Sequence, residues 1–333
     1  MVNTLSKIWV LLFMINPLFS VFSNPAEFSI TLTRISRRTV VVSSPYFDTN
    51  QLAVCSDKGI ILVDTGISPE YGQAVRDTLE HIFHTERFIY VINTHHHWDH
   101  VQGNQVFPDA AIIGHYNCRG AMLKQMPMPI TEPAIQKETQ GELPPPPPSH
   151  ILIPGKNGYV VTPPDIAFKD RLEINAGGIR ISVLYYGRCH TDNDIIVSFP
   201  GEHIVATGDL FYQNTLPPFG NRKNLGVMQW TQALNTVFKE HRVPFCVVPG
   251  HGALFTDSGL RLYMDYIERL WKGIGNDVQN RISLESIQKK WRLSDAFPAL
   301  RNKDAESSTG KSRHRGNVEI LWQQHVNMQQ TEE

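Results

Sequence analysis

Four metal-ligand side chains stand within six residues of one another, at His95, His97, Asp99 and His100. They directly follow the apolar run 88–92, whose β-branched and aromatic residues predict a buried strand that ends at a sheet edge. In an extended segment, residues two apart point the same way, so His95 and His97 can hold one metal ion. A bend after Trp98 would direct the aspartate and the last histidine to a second ion. A histidine-rich surface tract that binds metal weakly has the same composition, so the later motifs decide between the two.

Three later motifs share one arrangement, in which a ligand-type residue follows an apolar run and stands beside a glycine. They are Gly187–Asp192, Thr207–Phe211 and Val248–Gly252, which carry His190, Asp209 and His251. Glycine lets the backbone pass closely beneath a bound ion. Taken singly, His190 fits a hydrogen-bonded surface residue equally well, Asp209 a turn former and His251 a helix cap. Their order after the H-x-H-x-D-H pattern favours one shared metal centre.

Alternating strand and helix patterns place these residues at the ends of strands. Residues 51–55 and 59–63 are predicted as paired strands, and residues 69–84 as an amphipathic helix that Ser68 caps. Further strands are predicted at 171–174, 179–184, 195–200, 203–207 and 245–248, and further helices at 230–241, 257–274, 283–293 and 316–328. This alternation is typical of an α/β fold.

The composition indicates a globular protein with a small-molecule substrate. The chain has 333 residues, of which 41% are hydrophobic and 19% charged, and it is long enough to bury a sizeable core. Its 31 basic and 32 acidic residues leave a formal net charge of −1. A balanced charge provides no electrostatic attraction for nucleic acid or for an anionic membrane surface. The oligomeric state is left open.

The N-terminus predicts export. Lys7 precedes the apolar run 8–15, and residues 21–23 offer small or β-branched side chains at cleavage positions. We interpret residues 1–23 as a secretory signal peptide, so the mature protein is expected in the periplasm or outside the cell, without stable membrane insertion. An uncleaved anchor is the alternative, but it needs about 20 apolar residues, and Asn16 and Pro17 interrupt this run.

Residues 24–275 are predicted as the main domain and residues 276–333 as a helical C-terminal extension. Within the domain, residues 124–164 are rich in proline, so most of this insertion cannot pair in a sheet or continue a helix. It fits a wall of the substrate cleft, a solvated spacer or a docking loop. The cysteines, Cys55, Cys118, Cys189 and Cys246, show no paired spacing, so buried free thiols and disulfides fit equally well and no bridge is assigned.

Together these motifs resemble the metallo-β-lactamase superfamily, from the Leu62–Gly66 signature through His251. The resemblance implies an αββα sandwich, in which two mixed β-sheets are flanked by helices and a metal cleft lies along one edge. It implies one metal ion held by His95, His97 and His190, a second held by Asp99, His100 and His251, and Asp209 as a bridge between them. Asp64 would fix the histidine loop through hydrogen bonds without touching a metal.

Zinc is the metal that the ligand chemistry and the resemblance favour. Imidazole-rich sites with few carboxylates suit Zn²⁺, and a pair of ions about 3.5–4 Å apart fits dinuclear hydrolases. The flavodiiron branch has glutamate where His97 stands, which argues against diiron redox chemistry, whereas a mononuclear iron dioxygenase branch keeps the same histidines.

In a hydrolase, two zinc ions produce a bridging hydroxide that attacks a carbonyl carbon, and Asp99 orients it and shuttles its proton. No cysteine nucleophile is required, so Cys189 is interpreted as structural.

The sequence leaves the substrate open. The runs His190–Val197 and Asn224–Gly226 resemble true metallo-β-lactamases, in which an asparagine of the second run binds substrate. The cysteine-using lactamases, however, carry arginine where His100 stands and cysteine where Asp209 stands, and the histidine-using subclass lacks a bridging aspartate. The ligand set is more similar to glyoxalase II and lactonases. Cleavage of an ester, thioester, lactone or amide is therefore predicted, with β-lactam hydrolysis as the alternative.

A non-catalytic zinc-binding or interaction protein on the same fold is an alternative of a different class. Such a protein is expected to have lost some of the metal-ligand residues, but all seven are present in this sequence. Nuclease activity is disfavoured by the balanced charge and the export signal. The candidates for substrate contact are Trp98, Phe211, Tyr212 and Asn224, for which core or rim positions fit equally well.

Overall fold

A mixed sheet of eight strands forms the first half of the fold. The computed structural model describes residues 19–20, 30–43, 48–124, 158–213, 215–219, 226–240, 246–254, 257–304 and 312–332. In spatial and chain order the strands are β1 Phe19–Ser20, β2 Thr31–Arg34, β3 Thr39–Ser43, β4 Asn50–Ser56, β5 Gly59–Val63, β6 Phe88–Ile92, β7 Ala111–His115 and β8 Ile166–Phe168. Neighbours are antiparallel from β1 to β5 and parallel from β5 to β8. Because β5 and β6 are parallel, Asp64 and the histidine loop lie at the same sheet edge.

The second sheet has five strands in the spatial order β13, β12, β11, β10, β9. They are β9 Arg171–Ala176, β10 Ile179–Tyr185, β11 Ile195–Phe199, β12 Ile204–Tyr212 and β13 Cys246–His251. Strands β9 to β12 are antiparallel, whereas β12 and β13 are parallel, with Tyr212 opposite His251. The parallel pair therefore brings Asp209 and His251 to one end of the sheet.

Helices cover the outer faces of both sheets. The helices of the described structure are α1 Pro69–Phe83, α2 Trp98–Val101, which is a single turn in the loop after β6, α3 Tyr116–Lys124, α4 Val227–Glu240, α5 Asp257–Gln279, α6 Leu284–Lys290, α7 Leu293–Ala296 and α8 Arg313–Glu332. Further 3₁₀ turns lie at Asn104–Val106, Pro200–Glu202 and Pro298–Lys303. Apolar side chains fill three layers: beneath α1, between the sheets, and beneath α4, α5 and α8. This layering confirms the predicted αββα sandwich.

The strand sequences fit these layers. Every residue of β5 and β11 is buried, because both strands have apolar layers on their two faces. Such strands read as continuous apolar runs rather than as alternating patterns. Helix α1 begins as predicted, since the Ser68 hydroxyl accepts a hydrogen bond from the Tyr71 amide at 3.1 Å. It ends one residue earlier than predicted, at Phe83, because His84 adopts the left-handed conformation with φ 54°.

The C-terminal helices pack against the second half of the fold. Helix α5 runs across the predicted boundary at residue 275, and α8 packs on it. The Asn317 amide of α8 donates to the Pro217 carbonyl and to the Tyr266 hydroxyl of α5, at 2.8 and 3.1 Å. Arg313 donates to the Thr215 hydroxyl at 2.6 Å. These contacts hold the segment that follows β12. The division of the chain into a main domain, residues 24–275, and a C-terminal extension, residues 276–333, stays a prediction.

Several predictions concern residues that the structure describes only partly. Of the predicted signal peptide, residues 19–20 are described, and they pair with β2. Of the proline-rich insertion, residues 124 and 158–164 are described. All four cysteines are free thiols, a point that the sequence left open. None of the described helices has both the length and the apolar composition needed to cross a membrane.

The buried His314 is expected to make stability depend on pH. Its Nδ1 accepts from the Tyr266 hydroxyl at 3.0 Å, and its Nε2 donates to the Trp291 carbonyl. Burial lowers the pKa of His314 below its ordinary 6.5, although the Trp291 carbonyl and the Asp304 carboxylate oppose this. The unfolded chain therefore takes up this proton at a higher pH than the folded chain, and the free energy of unfolding falls as the pH drops below 6.5. Urea unfolding of metal-free protein at about pH 7.5 and about pH 5.5 should show a larger loss in the wild type than in His314→Gln. An equal loss in both proteins would contradict this role.

Candidate metal centre

The loop after β6 provides the first ligand residues. Residues 94–96 bend, and a single helical turn, α2, begins at Trp98 where the sequence predicted a bend. His95 and His97 still converge as expected, with ring centroids 4.6 Å apart. The intervening His96 contacts Asn193 instead, whose Nδ2 lies 2.9 Å from the imidazole Nδ1. The loop therefore separates two inward-facing histidines from one that connects it to the second sheet.

The second sheet provides the remaining three ligand residues. His190 lies between β10 and β11, and His251 is the last residue of β13. The strand predicted to end at residue 207 instead continues through Asp209 to Tyr212. A register shift between Ala206 and Gly208 makes this possible, because the irregularity turns Asp209 toward the centre without ending the strand.

Two glycines allow close packing beneath Asp209. Gly208 has φ +50°, and a Cβ atom there would lie 2.6 Å from the Thr94 hydroxyl. A Cβ atom on Gly250 would lie 2.1 Å from Asp209 Oδ1. Both distances are shorter than any ordinary Cβ contact, so a side chain at either position would displace the ligand residues. The sequence argument that glycine lets the backbone pass close to the centre applies at these two positions.

The structure brings together all seven residues that the sequence singled out as ligands. They form two groups, in each of which one ligand atom per residue lies within 4.8 Å of the others: His95, His97, His190 and Asp209, and Asp99, His100 and His251. Asp209 Oδ2 lies 3.1 Å from His190 Nε2 and 3.6 Å from His95 Nε2. Its Oδ1 lies 3.1 Å from His100 Nε2 and 3.3 Å from His251 Nε2. The two oxygens of one carboxylate thus face different groups.

The buried atoms at the centre fit a bound cation. The Nε2 atoms of His95 and His100 and the Oδ1 atom of Asp209 are buried and make no hydrogen bond within the described part of the chain. A buried polar atom without a hydrogen bond is costly, and it is usually explained by an ion or a water molecule. Imidazole nitrogens and carboxylate oxygens are ligands of transition metals such as zinc. The residues present therefore suit a metal ion.

The charges of the metal-free centre are strongly coupled. Burial raises the pKa of Asp209, but His251, His100 and the other imidazoles outweigh burial and hold that pKa well below its ordinary value. Burial lowers the pKa of His251, but Asp209 and Asp99 outweigh it and raise the pKa to about 10. For His95, burial and the positive charge of His100 lower the pKa. Protonated imidazoles thus balance the carboxylates, and a bound metal cation would replace those protons.

Asp64 holds the histidine loop from the neighbouring strand end. Its Oδ1 accepts from the Thr94 amide and its Oδ2 from the Thr94 hydroxyl, both at 2.7 Å. Oδ2 also lies 2.8 Å from His100 Nδ1. Because a carboxylate only accepts, this contact keeps a proton on Nδ1, so Nε2 is the nitrogen that faces the centre and can bind a metal once it has lost its own proton. This is the arrangement that the resemblance implied for Asp64.

The candidate substrate contacts have different surroundings. Trp98 is partly buried and packs against the apolar layer beneath α1. Phe211 packs in the core against Tyr263, with ring centroids 4.6 Å apart. Tyr212 donates a hydrogen bond to Asp209 Oδ2 and stacks on His251 at 5.1 Å, a double contact that the sequence did not predict. Asn224 lies outside the described residues.

Cys189 stands next to a ligand residue but is poorly suited to be a nucleophile. Its side chain is 1% exposed, and burial raises the pKa of the thiol well above its ordinary value. Its Sγ contacts the Gly187 carbonyl at 3.6 Å. A thiol that keeps its proton is a weak nucleophile. The packing agrees with a structural role.

Imidazole and carboxylate side chains meet at the common edge of the two mixed sheets, where they form a candidate metal centre. Residues 45–251 match the family model of the metallo-beta-lactamase superfamily, and the chain belongs to this superfamily as a metal-dependent hydrolase. The match begins just before β4 and ends at His251, so it includes all seven candidate ligand residues. The membership confirms the resemblance that the motifs indicated.

Similar proteins include lactamases and a sulfatase. A metallo-beta-lactamase type 2 from Bacillus cereus is 26% identical over 214 residues, which are 64% of this chain and 70% of the relative. The inverting sec-alkylsulfatase Pisa1 from Pseudomonas sp. is 13% identical with a TM-score of 0.62, and the match covers 89% of this chain. The chain spans only 50% of that sulfatase. The metallo-beta-lactamase FIM-1 from Pseudomonas aeruginosa, in its mono-zinc form, is 16% identical with a TM-score of 0.54, covering 74% of this chain and 97% of the lactamase.

Replacing Asp64 with asparagine should weaken metal binding while the fold is kept. Asparagine has the same shape and tolerates the φ of 60° found here, but one acceptor becomes a donor that faces Thr94 and His100. Loss of such a supporting contact typically costs about 10–100-fold in metal affinity. Competition with a chromogenic chelator measures the change, and the exposed Asp57→Asn is the matched control. Wild-type affinity in Asp64→Asn would contradict the role given to this carboxylate.

Removing metal should destabilise the protein. The centre gathers buried carboxylates and imidazoles that the unfolded chain does not hold together, so the folded state binds the metal preferentially. At a free concentration about 1,000 times the Kd, such binding contributes about 4 kcal/mol. We expect the Tm of chelator-treated protein to rise when zinc is added but not when magnesium is added. An unchanged Tm in zinc would argue against a metal centre.

Proposed function

We propose that this protein is an exported dinuclear zinc hydrolase that cleaves an ester, thioester, lactone or amide bond in a small molecule. The position of Asp209 carries the proposal. One of its oxygens lies 3.1 Å from His190 Nε2 and the other 3.1 Å from His100 Nε2, so one carboxylate serves both ligand groups. A shared carboxylate suits two ions about 3.5–4 Å apart, which is the spacing of dinuclear hydrolases.

Three of the seven candidate ligand residues are partly exposed. They are His97 of the first group and Asp99 and His251 of the second, whereas the other four are buried. A substrate therefore reaches the centre on the side of these three residues. Asp99 is the only carboxylate among them, and we assign to it the handling of the attacking water molecule.

Asp99 is the residue that we propose for proton transfer. Burial raises its pKa, but His100 and His251 outweigh burial and lower the pKa below the ordinary value, so the carboxylate is ionised at neutral pH. An ionised carboxylate at the open side can orient a water molecule and take up its proton. When bound, zinc supplies the Lewis acidity that lowers the pKa of water toward 7 and polarises a carbonyl group. Tyr212, through its bond to Asp209 Oδ2, keeps the shared carboxylate in place.

The remaining parts of the proposal rest on the sequence and the superfamily. Lys7 and the apolar run 8–15 support export, and the balanced charge of the chain supports a small-molecule substrate rather than nucleic acid. The superfamily membership supports hydrolysis as the reaction. The alternative of a non-catalytic protein is disfavoured because no ligand residue has been lost.

Hydrolysis of a β-lactam is the second candidate. It is favoured by the 26% identity to the Bacillus cereus metallo-beta-lactamase type 2 over 64% of this chain. It is disfavoured by His100 and Asp209, which stand where the cysteine-using lactamases have arginine and cysteine. The two candidates share the same attack on a carbonyl carbon and differ in the leaving group and in the shape of the substrate.

A substrate panel tests the proposal. Zinc-loaded protein beginning near residue 24 is assayed with a chromogenic cephalosporin, a glutathione thioester, an acyl homoserine lactone and an aryl acetate, while mass spectrometry counts the bound zinc ions. We expect two ions and hydrolysis of at least one acyl substrate other than the cephalosporin. Activity should fall more than about 100-fold in His190→Ala, since loss of a ligand exceeds the effect of losing a supporting contact. The exposed His81→Ala is the matched control.

The outcomes of this panel are distinct. Cleavage of the cephalosporin, lost in His190→Ala, would support the β-lactamase candidate instead. A secondary alkyl sulfate is included because the fold of a sec-alkylsulfatase matches 89% of this chain, and cleavage of that sulfate alone would contradict acyl hydrolysis. A single bound zinc ion in the active protein would contradict the dinuclear part of the proposal.

A further inference from the structure

Asn50 connects the two sheets beside the centre. It is the first residue of β4, in the first sheet, and is 4% exposed. Its Nδ2 donates to the carbonyl oxygens of Pro249, in β13 of the second sheet, and of Gly252, which follows β13, at 3.0 and 2.8 Å. These two carbonyls lie on either side of His251 in the chain. One amide group therefore holds the backbone before and after this ligand residue.

The Asn50 side chain is itself fixed. The Ser43 hydroxyl donates to its Oδ1 at 2.5 Å, and the two Nδ2 hydrogens are used by the two carbonyls. An amide group has two donors and a carbonyl acceptor, so these three bonds set its orientation and oppose rotation. The cost of leaving a buried donor without a partner keeps the arrangement in place.

Backbone contacts support the same connection. Thr49 forms an isolated bridge with His251, and the Gly252 amide donates to the Asp48 carbonyl at 2.8 Å. The ligand residues of the second group come from two sources: Asp99 and His100 from the loop of the first sheet, and His251 from the second sheet. The spacing between these sources depends on how His251 is held against β4.

We infer that Asn50 is a positioning residue for His251 and that it sets the affinity of the second metal ion selectively. This inference rests on the proposed dinuclear function. The first group depends on this contact less directly, because Asn50 bonds to the backbone on either side of His251 and not to the segments that carry His190 and Asp209. Its loop is tied to the second sheet separately, through the Ile195 amide, which donates to the Thr94 carbonyl at 2.9 Å.

The test is a zinc titration of the purified protein against a competing chelator, which resolves two dissociation constants, with mass spectrometry to count the ions. The second group has three ligand residues where the first has four, so we take the weaker of the two sites as the second. In Asn50→Ala we expect this site to lose about 10–100-fold in affinity, while the other changes by less than about threefold. The matched control is Asn317→Ala. Asn317 is 2% exposed and also donates twice, to Pro217 and Tyr266, but it contacts no ligand residue in the described structure.

Each outcome decides between the role proposed for Asn50 and a general effect on stability. Equal weakening of both sites in Asn50→Ala, no weakening, or the same selective loss in Asn317→Ala would overturn the inference. If Asn50→Ala does not fold, Ser43→Ala frees the amide to rotate, and a smaller loss confined to the second ion is expected; loss at both sites would overturn the inference there too. Binding of a single ion by the wild-type protein would contradict the dinuclear proposal itself, and this result is obtained before any variant is measured.

Discussion

The structure depends on a buried negative charge that four imidazoles surround. The Asp209 side chain is 3% exposed, and its oxygens lie within 3.6 Å of nitrogens of His95, His100, His190 and His251. A carboxylate in such a place is unfavourable unless positive charge compensates it. Protons on the histidines provide that charge in the metal-free protein, and a bound metal cation would replace them. The fold must therefore bring residues of both sheets to one point.

Polar contacts from neighbouring residues hold this arrangement in place, and two glycines leave the space that it needs. Asp64 fixes the loop of the first sheet, and Asn50 holds the end of β13. Gly208 and Gly250 leave room for Thr94 and Asp209 where a Cβ atom would collide with them. The orientation of the candidate ligand residues thus depends on neighbours outside the two ligand groups, as is general for metal sites.

The sequence predicted those parts of the site whose signal is local. The spacing of His95, His97, Asp99 and His100 and the motifs around His190 and His251 are contained in short segments, and continuous apolar runs indicated the buried strands. The extension of β12 through Asp209 was not predicted, because it depends on an irregularity at Gly208 that packs against Thr94 of the other sheet. The contacts of Asn50 and Tyr212 were not predicted either. Their partners lie in other elements, and a polar residue in a strand pattern does not indicate which distant carbonyl or carboxylate it will meet.

The distribution of the ligand residues along the chain has a consequence for how the protein is made. The first and last of them, His95 and His251, are separated by nearly half of the sequence, and each group needs members from both sheets. A nascent chain that has completed only the first sheet has a histidine loop but no complete group of ligands. The first group is complete once the chain has reached Asp209, whereas the second group needs His251 at the end of β13, so the two groups are completed at different points of the sequence.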